Sequence, residues 1–283
     1  MVTATTTTTA TAWSPDVQAF APADVVPDAL ILTTSTQLGT VEGDAQAVRV
    51  AYVDDAAAAV TSEGAEISES DPDFDEVLIY TQKVTQLVKL SREQYGQEGT
   101  ADGIGASVSR AVTRKANVNY LTQVAPTSPA VTPPAGLLNV SGITAGGAVA
   151  TNLDILVDLV AELEANEGTP SHIILDPIGW ASLRKFKDET ASARSLLGAG
   201  TTDADRFLLG LPVIVSPAMT AGTGLVLDNT AVVSAVGNLE VATSEHAAFT
   251  SDGVVVRCTW RFGQNVVHPE RIGKFTVTAP AAG

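Results

Sequence analysis

The most constraining feature of this 283-residue chain is an acidic segment of small residues between two strand-like stretches. Residues 53–76, "VDDAAAAVTSEGAEISESDPDFDE", contain nine acidic residues and neither lysine nor arginine. "VRVAY" precedes the segment and "VLIYTQKVTQLVKL" follows it, and both are rich in residues that favour strands. The pattern predicts a long hairpin. Because a two-stranded hairpin is marginally stable in water, we expect it to need a partner surface.

The negative charge is concentrated in the first part of the chain. Residues 1–82 hold fourteen acids and one base, Arg49, whereas the remainder holds eighteen acids and fifteen bases, for a net charge of −16. This balance argues against sequence-independent binding to nucleic acid and against an anionic membrane surface. The charged fraction of 17% is low. It indicates either a surface largely covered by other molecules or an alanine-rich host proteome.

The first forty residues are rich in threonine, alanine and proline, and Pro15, Pro22 and Pro27 interrupt any helix. They also carry apolar residues, which favour an extended docking arm over a disordered tail: Trp13, Phe20, Val25, Val26, Leu30 and Ile31. The start of the chain lacks the basic and apolar regions of a signal peptide, and no stretch approaches the ~18 apolar residues of a membrane span. We therefore expect a soluble protein made in a cytoplasm.

Two helices are predicted after the hairpin. "SREQYGQEG" has the capping-box spacing of Ser91 and Gln94, which predicts a short helix. Residues 101–124 predict a long amphipathic helix, whose apolar stripe comprises Ile104, Val108, Val112 and Leu121. Its other side carries Arg110, Arg114 and Lys115. That basic side is either a solvated face or a docking surface for acidic segments.

A proline-rich linker, residues 125–136, leads into a predicted compact α/β unit. Thr151 is the candidate cap of a helix that ends at Gly168, and the apolar stripe of this helix comprises Leu153, Leu156, Val157, Val160 and Leu163. The strand "SHIILD" follows, and Asp176 with Pro177 predicts the start of the next helix. Further strands are predicted from "LLGLPVIVSPAM", "GLVLD" and the last forty residues.

The sequence lacks the motifs of common catalytic and cofactor sites. It contains neither a phosphate-binding loop nor a complete dinucleotide-binding glycine motif. The three histidines, His172, His246 and His268, are far apart, and no zinc-binding spacing occurs. The single cysteine, Cys258, cannot form an internal disulfide, and its place in a strand predicts a small core residue. We expect no enzymatic activity, no cofactor and no metal site.

The order of these parts resembles the major capsid proteins of tailed bacteriophages, which have the HK-ninety-seven-like fold. Four stretches carry the resemblance: "QKVTQLVKLSREQYGQEG", "ASVSRAVTRKANVNYLTQ", "HIILDPIGWASLRKFKDE" and "LLGLPVIVSPAM". The closing segment "DGVVVRCTWRFGQNVVHPERI" is also similar to that of the family. The resemblance spans residue 42 to about residue 278.

The resemblance implies an α+β fold with five parts. These are an N-terminal arm (1–41), an extended hairpin called the E-loop (42–82), a first part of the peripheral domain (83–134, with a spine helix at about 101–124), an axial domain (135–239) and a second part of the peripheral domain (240–283). In this family the hairpin lies across a neighbouring subunit, so its strands are expected to have no core within their own chain. The arm is likewise expected to reach under neighbours.

The resemblance also implies a function. The chain is expected to be a structural protein that assembles into pentamers and hexamers, which form the icosahedral head around the double-stranded DNA of a tailed phage. Assembly is expected in the host bacterial cytoplasm, with a separate scaffolding protein, a portal and possibly a decoration protein. Residues 1–82 contain no lysine, so the isopeptide cross-link of some relatives is not expected here.

The candidate site is a set of charged contacts between subunits. Acids of the hairpin (Asp54, Asp55, Glu63 and Glu66) are expected to meet basic groups of an adjacent copy, drawn from Arg92, Arg110, Arg114, Arg257, Arg261 and Arg271. Two alternatives remain open at this point. One is an encapsulin-type shell of the same fold, and the other is a bacterial surface or adhesion protein, against which the absence of an export signal counts.

Overall fold

A computed structural model of the chain describes residues 17–54, 73–97, 100–187, 197 and 206–278. In these residues the strands are β1 (Val17–Phe20), β2 (Thr36–Val41), β3 (Ala47–Asp54), β4 (Asp73–Ser91), β5 (Thr144–Val149), β6 (His172–Leu175), β7 (Phe207–Leu208), β8 (Leu211–Val215), β9 (Thr223–Leu227), β10 (Val232–Ala248), β11 (Gly253–Val266) and β12 (Gly273–Val277). The α-helices are α1 (Pro22–Val25), α2 (Leu30–Thr33), α3 (Arg92–Tyr95), α4 (Thr100–Thr122), α5 (Asp154–Ala165) and α6 (Pro177–Leu183).

The first sheet is built around the long antiparallel pair β10 and β11. Its strand order is β1-β10-β11-β4-β3, and β2 runs parallel to β10. Side chains of β4 and β11 alternate between the two faces, as the period of a strand requires. Val84 and Trp260 are opposite each other and buried, whereas Thr85 and Leu87 point to the other face and are exposed. One face is therefore covered around Trp260, and the other is exposed at Thr85 and Leu87 but buried at Thr81 and Thr259.

The long helix α4 covers the buried face and confirms the helix predicted for residues 101–124. Val108, Val112 and Leu121 of its predicted stripe are buried in one core with Trp260. The indole nitrogen of Trp260 donates a hydrogen bond to the carbonyl oxygen of Gly237, 3.0 Å away. Replacing a buried tryptophan of this kind by alanine costs about 3–5 kcal/mol in typical cores. The helix and the sheet thus form one packed unit.

Cys258 lies in this core, as predicted. It is 2% exposed on β11, and burial raises the pKa of its thiol to about 11. Because the thiolate is the reactive form, a thiol with a raised pKa is a poor nucleophile near neutral pH. Cys258 is a packing residue.

The second sheet has the order β5-β12-β9-β6-β8-β7, with α5 and α6 packed against it. Its core includes Leu156, Leu159, Ile173 and Phe275. The sheet corrects the predicted boundary at residue 239. β10 already belongs to the first sheet from Val232 onward, and β12, near the end of the chain, pairs with β5 and β9 in the second. The chain therefore passes from one sheet to the other one more time than the predicted domain boundaries require.

The helix caps of the second unit agree only in part with the sequence. Asp176 caps α6 as predicted, since its carboxylate accepts hydrogen bonds from the backbone N–H groups of Ile178 and Gly179 at 3.0 Å. Thr151 does not cap α5 as predicted. The N-cap residue of α5 is Leu153, whose side chain makes no capping hydrogen bond. Val157 is exposed, and Leu159 takes its place in the core.

The described part of the predicted N-terminal arm, residues 17–41, is not extended away from the body. β1 pairs with one part of β10, and β2 pairs with another part of the same strand. Val26, Leu30 and Ile31 are buried in the same core as α4, and Leu30 N donates to Asn117 Oδ1 at 2.8 Å. Of the predicted anchors, Val25, Val26, Leu30 and Ile31 pack on their own chain, Phe20 is exposed, and Trp13 lies outside the described residues.

Among the residues that the structure describes, no helix is both long enough and apolar enough to cross a bilayer.

The join between α4 and the second unit depends on a glycine. Gly136 N donates to the carbonyl of Gln123 at 2.8 Å, and a Cβ at position 136 would lie 2.5 Å from Gln123 N. We predict that Gly136→Ala lowers the free energy of unfolding by about 1–3 kcal/mol, because the backbone must move to admit the methyl group. Urea unfolding of the unassembled subunit measures this change.

Gly105→Ala is the matched control. Gly105 is exposed in the interior of α4, and a Cβ there would meet no atom within 4 Å. The same substitution should stabilise the helix by about 0.5–1 kcal/mol. Equal effects of the two variants would contradict the proposed role of Gly136.

Candidate functional site

The candidate site is the hairpin, defined as β3 together with residues 73–80 of β4. β4 is one continuous strand with two partners. Residues 73–80 pair with β3, from Asp54 opposite Asp73 to Ala47 opposite Tyr80. Residues 81–91 pair with β11, from Thr81 opposite Gly263 to Ser91 opposite Gly253. The predicted hairpin is therefore confirmed, and it projects from the first sheet along the same strand.

The base of the hairpin has a small hydrophobic core within its own chain. Val50 of β3 and Ile79 of β4 are buried against Val41, Val233 and Ala235 of the neighbouring strands. This corrects the expectation that the hairpin strands have no core of their own. The base of the hairpin is therefore supported by its own chain. The acidic tip, residues 55–72, lies outside the described residues.

A charged network, which we call the hairpin root, lies beside this core. It comprises Asp44, Ala45, Thr81, Lys83 and Arg261. The Arg261 guanidinium donates to Thr81 Oγ1 at 3.0 Å, to Asp44 Oδ1 at 3.3 Å and to the carbonyl of Ala45 at 3.4 Å. Lys83 Nζ donates to the same Asp44 oxygen at 3.1 Å. The hydrogen bond and charge of Lys83, together with the charge of Arg261, hold the pKa of Asp44 below its usual range.

A second polar contact, which we call the hairpin latch, ties the side of the hairpin to the body. The Tyr52 hydroxyl of β3 contacts Nε2 of His268, and Nδ1 of the same imidazole lies 3.0 Å from Oε1 of Glu270. With the ring proton on Nδ1, that nitrogen donates to Glu270 and Nε2 accepts from Tyr52. The two rings are also tilted against each other, with centroids 5.9 Å apart. The latch fixes β3 relative to the loop after β11.

The acids predicted to meet a neighbouring subunit are mostly beyond the described residues. Asp54 is the last residue of β3, at the outer end of the hairpin. Asp55, Glu63 and Glu66 lie outside the described residues. Their contacts with another copy therefore stay a prediction.

The predicted basic partners fall into two groups. Arg110 and Arg114 are exposed on α4, and Arg257 is exposed on the face of the first sheet that is away from α4. Arg92 is exposed too, but its Nε lies 3.1 Å from Asp252 Oδ1. The structure does not bring these four residues together, and they present separate surfaces for a neighbour.

Arg261 and Arg271 form the second group, and both have partners in their own chain. Arg261, 15% exposed, belongs to the hairpin root. Arg271 donates from Nε to the carbonyl of Asn166 at 3.2 Å and lies 3.9 Å from Glu167. These guanidinium groups fix loops within the subunit, and their contacts with another copy stay a prediction.

Sequence reasoning missed the residues of the latch and the root. His268 was noted only as an isolated histidine, and Tyr52 only as a strand residue. Asp44 precedes Lys83 by 39 positions and Arg261 by 217, so no local spacing could have joined them. The one available signal was the change from acidic to basic residues at Lys83, the first lysine of the chain.

The described residues offer no metal centre. No group of three or more histidine, cysteine, aspartate or glutamate side chains comes together in this part of the chain. A cavity of about 420 Å³ lies beside the hairpin root and is lined by polar residues, among them Gln82, Lys115 and Asn119. Its lining contains no acidic residue and no histidine, and hence no acid–base pair of the usual kind.

Comparison with known proteins gives a consistent picture. A family model described as the phage capsid family matches residues 32–277. None of the curated proteins matches this chain in sequence.

Several solved structures are similar in fold. A structure titled "Gordonia phage Cozz" is 17% identical, with a TM-score of 0.67, and the match covers 89% of this chain and 87% of that one. "Capsid of native GTA particle computed with C5 symmetry" is 18% identical, with a TM-score of 0.63 and coverage of 89% and 90%. "Microbacterium phage Oxtober96" is 12% identical, with a TM-score of 0.65 and coverage of 98% and 96%. At these identities the likeness shows a common fold.

The latch makes a testable prediction about the hairpin. Tyr52→Phe removes the hydroxyl that contacts His268, and a net hydrogen bond of this kind is worth about 0.5–1.5 kcal/mol. We expect amide hydrogen exchange in β3 and residues 73–80 to become about twofold to tenfold faster, while α4 keeps its protection. Mass spectrometry of peptides from the exchanged protein measures the change.

Tyr80→Phe is the control for this experiment. Tyr80 lies on the same hairpin and is half-buried, and its hydroxyl has no hydrogen-bond partner among the described residues. Its loss should leave the exchange rates unchanged. Identical exchange in wild-type and Tyr52→Phe protein would show that the latch does not restrain the hairpin.

Proposed function

Because this chain belongs to the phage capsid family and is a major capsid subunit that assembles with copies of itself into a shell, we propose that its copies form the pentamers and hexamers of an icosahedral tailed-phage head. The head would enclose double-stranded DNA. The family match over residues 32–277 covers most of the chain and favours neither an encapsulin-type compartment nor a bacterial surface protein.

The observation that carries this proposal is the hairpin on β4. A 19-residue strand extends past the end of its ladder with β11, and over residues 73–80 its described partner strand is β3. The outer end carries acidic residues and little apolar surface. A projection of this kind is stabilised when it lies on another subunit. Contacts between two different patches of identical chains close into rings when the rotation allows.

We expect the two sheets to take different positions within each ring. In our proposal the first sheet with α4 is the peripheral unit, and the second sheet with α5 and α6 lies near the ring axis. The second unit exposes Ile178 and Phe207, which are 67% and 56% exposed. In this proposal, these exposed apolar side chains become covered when copies associate.

The charge of the chain fits a container for DNA. A net charge of −16 for the whole chain fits a container that encloses DNA without binding it specifically. The family is a structural one, and the proposed role is non-enzymatic. We place the protein in the virion capsid, with assembly in the cytoplasm of the host bacterium. A separate scaffolding protein, a portal and a decoration protein are the partners that such a head would use.

Self-assembly is tested by producing the full chain in bacteria. We expect closed shells of many copies, because weak contacts repeated around each subunit give a strong assembly. Negative-stain microscopy and sedimentation velocity measure particle size and mass. Shells with the dimensions of a phage head support the proposal, whereas a stable single-copy species at all concentrations contradicts it.

The acidic hairpin is tested by neutralising the four predicted acids together, as Asp54→Asn, Asp55→Asn, Glu63→Gln and Glu66→Gln. We expect fewer or mis-sized particles, because the charge complementarity that guides subunits together is reduced. Particle yield and diameter are the readouts.

The matched control neutralises four exposed acids of α5, as Asp154→Asn, Asp158→Asn, Glu162→Gln and Glu164→Gln. It makes the same change in net charge away from the hairpin. Normal shells from the hairpin variant would refute a role for the hairpin acids.

A further inference from the structure

The polar cavity beside the hairpin root, which we call the root cavity, has the features of a ligand site. Its volume is about 420 Å³, and three parts of the chain line it. The first sheet supplies Lys83 and Arg261, α4 supplies Lys115 and Asn119, and the proline-rich linker supplies Thr132. A ligand in this cavity therefore contacts elements that are far apart in the sequence.

The charge of the root cavity is positive, although the net charge of the whole chain is −16. Lys83 and Arg261 share one carboxylate, that of Asp44, at 3.1 Å and 3.3 Å. Lys115 is exposed and has no ion-pair partner among the described residues. Because one carboxylate serves three cations, the cavity retains positive charge and attracts an anion.

Two buried amides in the lining have hydrogen-bonding groups without a partner. Gln82 and Asn119 are 7% and 8% exposed, and Asn119 Nδ2 donates to Gln82 Oε1 at 3.0 Å. Within the described residues this leaves Gln82 Nε2 without an acceptor and Asn119 Oδ1 without a donor. If both amides turned over, the two side chains would only exchange these roles. Arg261 Nε also lacks an acceptor. Buried polar groups normally have partners, so these atoms indicate a ligand.

The chemistry of these groups restricts the ligand. It must carry negative charge, offer acceptor oxygens to the N–H groups and donate one hydrogen bond to an amide oxygen. Sulfate and an ionised carboxylate only accept hydrogen bonds, and water carries no charge to balance the cations. At neutral pH inorganic phosphate is an anion that retains at least one proton, so it both accepts and donates. A phosphate monoester, with a second pKa of about 6, has mostly lost its proton at this pH.

We infer that the root cavity binds inorganic phosphate and that the bound ion ties the base of the hairpin to α4. Lys83, Lys115 and Arg261 supply the positive charge. The amide pair of Gln82 and Asn119 supplies the donor and the acceptor that distinguish phosphate from sulfate. The site lies within a single subunit, so this inference goes beyond the proposed function and does not depend on it.

Binding is tested on the full chain, purified in phosphate-free buffer, by equilibrium dialysis with radiolabelled phosphate at constant ionic strength. We expect saturable binding that approaches one phosphate per chain. Unlabelled phosphate should compete about tenfold better than sulfate, because sulfate cannot donate to the amide oxygen and leaves it unpartnered. Adenosine monophosphate is the second competitor, and it should also compete less well than inorganic phosphate.

Substitutions in the lining locate the bound ion. Lys115→Gln should weaken phosphate binding by about tenfold, because a charge-assisted hydrogen bond is lost, whereas Lys115→Arg keeps the charge and should retain binding. Arg114→Gln is the matched control, since Arg114 is also exposed on α4 but does not line the cavity. It should bind phosphate like the wild type.

Gln82→Glu tests the buried amide without a large change in shape. The carboxylate still accepts the hydrogen bond from Asn119, but a negatively charged oxygen replaces the free amide nitrogen. We expect phosphate binding to be lost. Circular dichroism verifies that this variant and the Lys115 variants are folded.

Amide hydrogen exchange tests whether the ion ties the hairpin to α4. Saturating phosphate should slow exchange in β3 and residues 73–80 of the wild type by about twofold or more, and it should have no effect in Gln82→Glu. Bound phosphate that leaves these rates unchanged contradicts the tie. The inference is overturned if binding does not saturate, if sulfate or adenosine monophosphate competes as well as phosphate, or if folded Lys115→Gln and Gln82→Glu bind like the wild type.

Discussion

The structure depends on one strand that belongs to two ladders. β4 pairs with β3 through Tyr80 and with β11 from Thr81 onward. The hairpin is thus continuous with the most extensively packed sheet of the molecule, and bending it away would break backbone hydrogen bonds of that sheet. The local apolar contacts of Val50 and Ile79 resist the same motion. A thin acidic projection can keep its direction only because its base is held in this way.

Local sequence patterns predicted the elements that depend on contacts between residues close together in the chain. The capping spacing at Ser91, the Asp176–Pro177 pair and the stripe of α4 each depend on residues within a few positions of one another, and the structure confirms them. Pairing between distant strands was not predictable in the same way. β12 joins the second sheet through β5, from which it is separated by more than one hundred residues. No periodicity in either strand contains that information.

The charged residues show the same limit. Arg257 and Arg261 are four positions apart on one strand and looked equivalent in the sequence. In the structure Arg257 is exposed, whereas Arg261 is held by Thr81, Ala45 and Asp44. The difference comes from the loop that precedes β3, which folds over one guanidinium and not the other. A sequence reveals the charge of a residue, but its partner is decided by which distant loop lies above it.

The hairpin root and latch have a further consequence for a ring of subunits. In a head-to-tail contact, the direction of the donor hairpin relative to its own sheet determines the rotation from one copy to the next. Rings of five and of six differ in that rotation by about 12 degrees. The ladder of β4 with β11 is held by backbone hydrogen bonds, whereas Tyr52 contacts His268 and Arg261 contacts Asp44 through side chains. If the copies form rings of both sizes, as we propose, these polar contacts at the base of the hairpin are where we expect its direction to adjust.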